Sequence, residues 1–139
     1  MVEKLLVVFD GSESAQAAFD FALDLAGTYG AELFVLAAAR PPEFGEEVET
    51  EAVIEQSRRH HERVLQPLKS LARDRKARFE VKVGHPAEAI VLYAEDPGID
   101  HIVVGHRGHG LFELWLIGSV AHQVIAYAPC AVTVVRPRA

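Results

Sequence analysis

Apolar positions along this chain follow two rhythms, short unbroken runs and stripes of helical period. Leu5, Leu6, Val7, Val8 and Phe9 form a continuous run, the pattern of a strand covered on both faces, as in a parallel sheet. After Asp10, Gly11 and Ser12, the residues Ala15, Ala18, Phe19, Ala22, Leu23 and Ala26 recur at helical spacing. Ser12 is placed to cap that helix and Gly30 to end it. A second strand is expected over residues 32–38. Residues 40–49, with Pro41, Pro42, Gly45 and several acids, read as an exposed loop.

Val53, Ser57, Val64, Leu68 and Leu71 mark a long helix from Thr50 to Arg73. Pro67 lies inside it, removing a backbone donor and crowding the preceding turn at a cost of about 3 kcal/mol. That conflict predicts a bend near Gln66 or a division into two shorter segments. Phe79, Val81 and Val83 alternate as a third, partly buried strand ending at Gly84. Pro86 suits the first turn of the next helix, which carries Ala89, Ile90, Tyr93 and Ala94 and is closed by Pro97 and Gly98. Ile102, Val103 and Val104 make a fourth strand that ends at Gly105. A last helix is expected to start near Gly118 or Ser119 and to stop before Pro129, and Ala131 to Val135 supplies a fifth strand.

Strands separated by helices predict an α/β domain with a parallel sheet and right-handed crossovers, while spacing alone leaves the strand order open. No linker, repeat or low-complexity segment interrupts residues 1–139, so a single domain is expected.

Composition narrows this picture without redirecting it. A chain of 139 residues, 50% hydrophobic and 24% charged, can bury a core without a metal or disulfide staple. The net charge of −6 disfavours a general nucleic-acid or anionic-membrane surface and leaves room for a local anion site. The opening MVEKLLVVF lacks the features of a secretory peptide, and no apolar run is long enough to span a membrane; a cytoplasmic location is the expectation. The single cysteine, Cys130, cannot form an internal disulfide and suits core packing.

The stretch richest in chemical meaning is Gly105-His106-Arg107-Gly108-His109-Gly110, followed after seven residues by Gly118-Ser119-Val120. Glycines at the end of a strand allow a tight turn with backbone close to a ligand. A helix opening at Gly118 presents unpaired amide donors, the electrostatic basis for holding phosphate. Ser119 adds a hydroxyl and Arg107 a positive charge. The stretch is not a GxxxxGK[ST] loop, since no lysine follows, and Asp10-Gly11-Ser12-Glu13-Ser14 after the first strand is not a dinucleotide fingerprint. A flexible loop whose glycines only relieve turn sterics remains the alternative.

The intervals glycine, two residues, glycine, nine residues, glycine and serine fall here on Gly105, Gly108, Gly118 and Ser119. In them the chain resembles the universal stress protein family of the nucleotide-binding type, and the resemblance runs from the first strand to the last. It implies an open five-stranded sheet in the order 3-2-1-4-5, four flanking helices, and a homodimer paired antiparallel through the terminal strand. Such an order sets Asp10 and Gly105 on opposite sides of one crevice. By the same resemblance Asp10 and Gly11 approach the nucleoside and the backbone near Ala38 contacts adenine. Gly105, Arg107, Gly108, Gly118, Ser119 and Val120 then surround ribose and phosphates. The implied ligand is ATP, with Mg or Mn, or else ADP or AMP. Val8 and Ala131 stand where some relatives have proline.

Each residue also has a plainer reading. Asp10 could hold a nucleotide-bound cation, accept from a ribose hydroxyl, or cap its own turn. Arg107 could meet phosphate, point to solvent or pair with Glu113. His101, His106 and His109 cluster in sequence without the ligand set of a structural zinc site. His60 and His61 belong to the solvated side of the long helix, and His122 to local packing or capping. Ser12, Ser14, Ser119 and Cys130 lack the base and orienting acid of a nucleophile. The leading expectation is an ATP-binding regulatory or stress-response protein whose conformation or dimerisation follows the nucleotide. The alternatives are a slow ATP hydrolase or phosphotransferase, in which Arg107 stabilises developing charge, and a nucleotide-independent dimeric adaptor acting on a protein client.

Overall fold

The computed structural model describes residues 2–39, 50–73, 76–107 and 118–138; the expected loop over residues 40–49 lies outside them. The chain runs β1 (Lys4–Val8), α1 (Glu13–Tyr29), β2 (Glu32–Ala39), α2 (Thr50–Leu71), β3 (Ala77–Val83), α3 (Pro86–Glu95), β4 (His101–Gly105), α4 (Ser119–Tyr127) and β5 (Ala131–Val135). The five strands form one sheet in the order β3-β2-β1-β4-β5, and every pairing is parallel. The expected fold and strand order hold.

Successive side chains of a strand point to opposite faces, and the central strands are apolar at both. Leu5 and Val7 of β1 join Leu33, Val35 and Ala37 of β2 beneath α1 and α2. Leu6, Phe34, Leu36, Ile102 and Val104 join Ile90 and Ala94 of α3 and Ala121 and Val124 of α4 on the other side. The helix α1 lies on its layer through Ala15, Ala18, Ala22 and Ala26, with Phe19 as the one large anchor. Phe19 meets Phe9 edge to face at 6.5 Å between ring centroids.

The expected caps of α1 are both present. Ser12 Oγ accepts from the Ala15 N–H at 3.1 Å, and Gly30 takes the left-handed conformation at φ 65°.

The expected division of α2 is corrected: the helix is continuous from Thr50 to Leu71 with Pro67 inside it. Pro67 stands on the exposed side, whereas Leu65 and Leu68 are buried against the core. Water can serve the carbonyl that proline leaves unpaired, and packing of the buried stripe outweighs the lost bond. The inner positions also differ from the expected stripe, since Leu71 is 59% exposed while Leu65 and Ala72 are buried.

At the opposite end of the sheet from the strand termini that carry the glycines, Asp100 Oδ2 accepts from the N–H groups of Glu3 and Lys4 at 2.8 and 2.9 Å. That pairing locks the start of β1 to the start of β4.

Candidate functional site

β1 and β4 are neighbours, with Val7 opposite Val103. From β1 the chain turns to α1 on one face, and from β4 it continues to α4 on the other. Chains diverging from adjacent strand ends leave a crevice between them, the usual ligand position in an open α/β sheet. Here it is a cavity of about 450 Å³. Val8, Ala38, Pro86, Ile90 and Val104 give it an apolar side, and Asp10, Arg107 and Ser119 contribute polar groups.

On the β1 side, Asp10 Oδ1 accepts from the Ser12 N–H at 2.9 Å and Gly11 sits at φ 83°. The local capping foreseen for Asp10 is therefore present. The residue is also exposed and lines the cavity, so its carboxylate remains within reach of a ligand. Gly11 shapes the turn without lining the cavity.

On the β4 side, Gly105 is needed first by packing. A β-carbon there would stand 2.7 Å from the carbonyl carbon of Ser14, so the first turn of α1 occupies the space a side chain would need. The His106 N–H donates to the Val135 carbonyl at 2.8 Å, and the His106 carbonyl accepts from the Gly118 N–H at 2.9 Å. That second bond corrects the expected donor set, because the Gly118 amide is already engaged. The first bond within α4 runs from the His122 N–H to the Gly118 carbonyl. The amides of Ser119, Val120 and Ala121 precede it and form the positive opening of the helix.

Arg107 is only 9% exposed, which removes the solvent-pointing alternative, and its buried Nη2 has no hydrogen-bond partner among the described residues. A buried guanidinium nitrogen without a partner is expensive unless something else satisfies it. His106 is also buried, and its Nε2 has no partner among the described residues. Burial, and then the guanidinium groups of Arg136 and Arg107, hold its ring below the ordinary histidine range.

The structure thus brings Asp10, Ala38, Gly105, Arg107, Gly118, Ser119 and Val120 to one cavity. Gly108, His109 and Glu113 lie outside the described residues. Phe9, Ser12, Ala15, Pro86 and Ile90 also line the cavity and were not singled out. Pro86 had a signal, since it opens the helix that follows a strand end. Cys130 packs partly buried against the cluster beneath α3 and α4. Among the described residues no group of three or more His, Cys, Asp or Glu side chains is placed to hold a metal, and no helix is long and apolar enough to cross a membrane.

The model of the universal stress protein family matches residues 1–136. A universal stress protein of Thermus aquaticus is 33% identical over 137 residues, covering 98% of this chain and all of that one. Among solved structures, universal stress protein UspA from Lactobacillus plantarum superposes with a TM-score of 0.87 at 27% identity, over 97% of this chain and 98% of its own. The fold is shared at lower identity by a universal stress protein in complex with cAMP (TM-score 0.73, 22% identity, 98% of each chain). It is shared too by an Arabidopsis thaliana family protein with AMP bound (TM-score 0.71, 18% identity, 99% of this chain and 93% of that one).

Proposed function

This chain belongs to the universal stress protein family, and on that premise we propose that it is a cytoplasmic regulatory protein that binds an adenine nucleotide, ATP, in the crevice between β1 and β4. The observation that carries this reading is Arg107, buried at the cavity wall with a guanidinium nitrogen that has no partner among the described residues. An anion is the partner that satisfies such a group. The opening of α4 offers the amides of Ser119, Val120 and Ala121 from the same side, and an anion there is favoured by the helix dipole.

The base sits on the apolar side made by Val8, Ala38, Ile90 and Val104, and Asp10 accepts from a ribose hydroxyl. A divalent cation accompanying the triphosphate is held mainly by the phosphates, with Asp10 the one carboxylate among the described residues lining the cavity. The cAMP and AMP complexes of proteins with this fold support the adenylate class, while the choice of ATP rests on the amide-rich opening beside Arg107. Nucleotide occupancy acts on the domain by favouring one conformation or one state of assembly. The assembly is a homodimer through β5, which pairs with β4 on one side and ends the sheet on the other.

The deciding experiment is identification of the small molecule retained by natively purified protein, followed by calorimetric titration with ATP, ADP and AMP. Adenylate binding that is weakened by Arg107→Gln is the expected result. Absence of binding to all three overturns the reading. An unchanged solution mass and conformation with and without ATP removes the switching part alone.

A further inference from the structure

His106 and Arg107 are consecutive, are 3% and 9% exposed, and each carries a buried nitrogen without a partner among the described residues, Nε2 and Nη2. Arg107 lines the cavity and His106 does not. A guanidinium in that position is permanently charged, whereas an imidazole can stay neutral or take up a proton when the surrounding field allows. Among the described residues the charges acting on His106 are both positive, Arg136 beyond β5 and Arg107 beside it. The first turn of α4 brings no acid, and its His122 is exposed. At the opening of α1, next to Gly105, Glu13 is exposed as well.

The backbone of His106 is fixed at both ends, to Val135 and to Gly118, and the guanidinium of its chain neighbour Arg107 is one of the charges that act on the ring. Burial is the first cause that disfavours a charged ring, and the two guanidinium groups add to it; negative charge arriving at Arg107 offsets one of those two repulsions.

We propose that His106 is a proton-linked specificity residue of this crevice: phosphate seated against Arg107 lets the adjacent imidazole take up a proton, so that the more highly charged nucleotides gain affinity as pH falls. This rests on the nucleotide-binding reading above and adds to it a residue outside the cavity wall. Linkage makes the effect reciprocal, since a ligand that promotes protonation is bound more tightly by the protonated form.

The test is calorimetric titration of the full chain with ATP and with AMP between pH 5.5 and 8, in buffers of different ionisation enthalpy, repeated with His106→Gln. ATP binding is expected to take up protons on the acidic side of neutrality, more than AMP does. The preference for ATP over AMP grows as pH falls, by no more than about tenfold per pH unit for one linked proton. His106→Gln binds both nucleotides and loses that part of the pH dependence. Ligand phosphates also titrate in this range, but they are common to both proteins, so the difference isolates His106. The ring resonance of His106 in the unmodified protein, assigned through its backbone, is expected to titrate at higher pH with ATP than without. Should the variant fold poorly, that resonance decides alone.

Equal proton uptake in a folded variant, or a ring titration unmoved by ATP, overturns the inference and leaves nucleotide binding intact. Absence of ATP and AMP binding at every pH is a separate result that removes both.

Discussion

Gly105 and Ser14 are so closely apposed that a β-carbon on the glycine would lie 2.7 Å from the serine carbonyl carbon and 2.8 Å from its oxygen. This approach presses the opening of α1 against the end of β4 and so sets the distance between the two walls of the crevice. Backbone cannot step aside as a flexible side chain does. Gly105→Ala is therefore expected to destabilise the protein by about 1–3 kcal/mol and to weaken nucleotide binding with it. Gly84→Ala serves as control, because a β-carbon there meets nothing within 4 Å. Urea unfolding of the two variants checks the contrast, and equal midpoints would show that α1 yields.

Arg107 carries opposite consequences for stability and for binding. Its Nη2, without a partner among the described residues, is a burden on the empty protein and an asset when an anion is bound. Arg107→Gln is expected to leave the urea midpoint unchanged or raised, while ATP affinity falls by roughly tenfold or more, the worth of one charge-assisted hydrogen bond. A variant that loses stability and keeps its affinity would mark Arg107 as purely structural.

His106 makes stability depend on pH with a definite sign. Burial first, then Arg136 and Arg107, hold the folded ring below its ordinary value, so the unfolded chain binds the proton more readily. The neutral ring's contribution is fully present above the unfolded value of about 6.5 and is lost as pH falls through it toward the folded value. Urea unfolding at pH 7.5 and 5.5 measures the loss, and His106→Gln is expected to show less of it. The same loss in both proteins would assign the effect to other groups.

β5 closes the sheet with one side paired. A dimer formed through its other side predicts a solution mass that rises with concentration and falls back with Val134→Lys. Val134 also packs against the cluster beneath α4, so circular dichroism and thermal unfolding accompany the mass measurement. A monomer at all concentrations in the unmodified protein rejects the dimer.

The elements were legible because each has a local cause. The runs at Leu5–Phe9 and Ile102–Val104, the cap at Ser12, the stop at Gly30 and the first-turn proline at Pro86 all appear where local rules place them. Non-local facts were not legible in this way. That Leu65 rather than Leu71 faces the core depends on how α2 lies across β3. Gly105 is explained by a serine ninety-one positions earlier, Ser14, and the Gly118 amide is taken by a carbonyl twelve positions away at His106. No periodicity records such contacts. The wall of the crevice near Arg107 and Ser119 was foreseen from motif spacing and the wall near Asp10 from the strand order that the family resemblance implies, whereas the contribution of Ile90 waits on the docking of α3.

The place of β1, between β2 and β4, has a consequence during synthesis on the ribosome. Were the sheet half made of β1, β2 and β3, with α1 and α2, to assemble while the rest is still being translated, Leu6, Phe34 and Leu36 would have nothing to cover them, since α3, β4 and α4 complete that side. A chain stalled at this stage would carry the Asp10 turn on a sticky, half-dressed sheet, a substrate for chaperones and proteases.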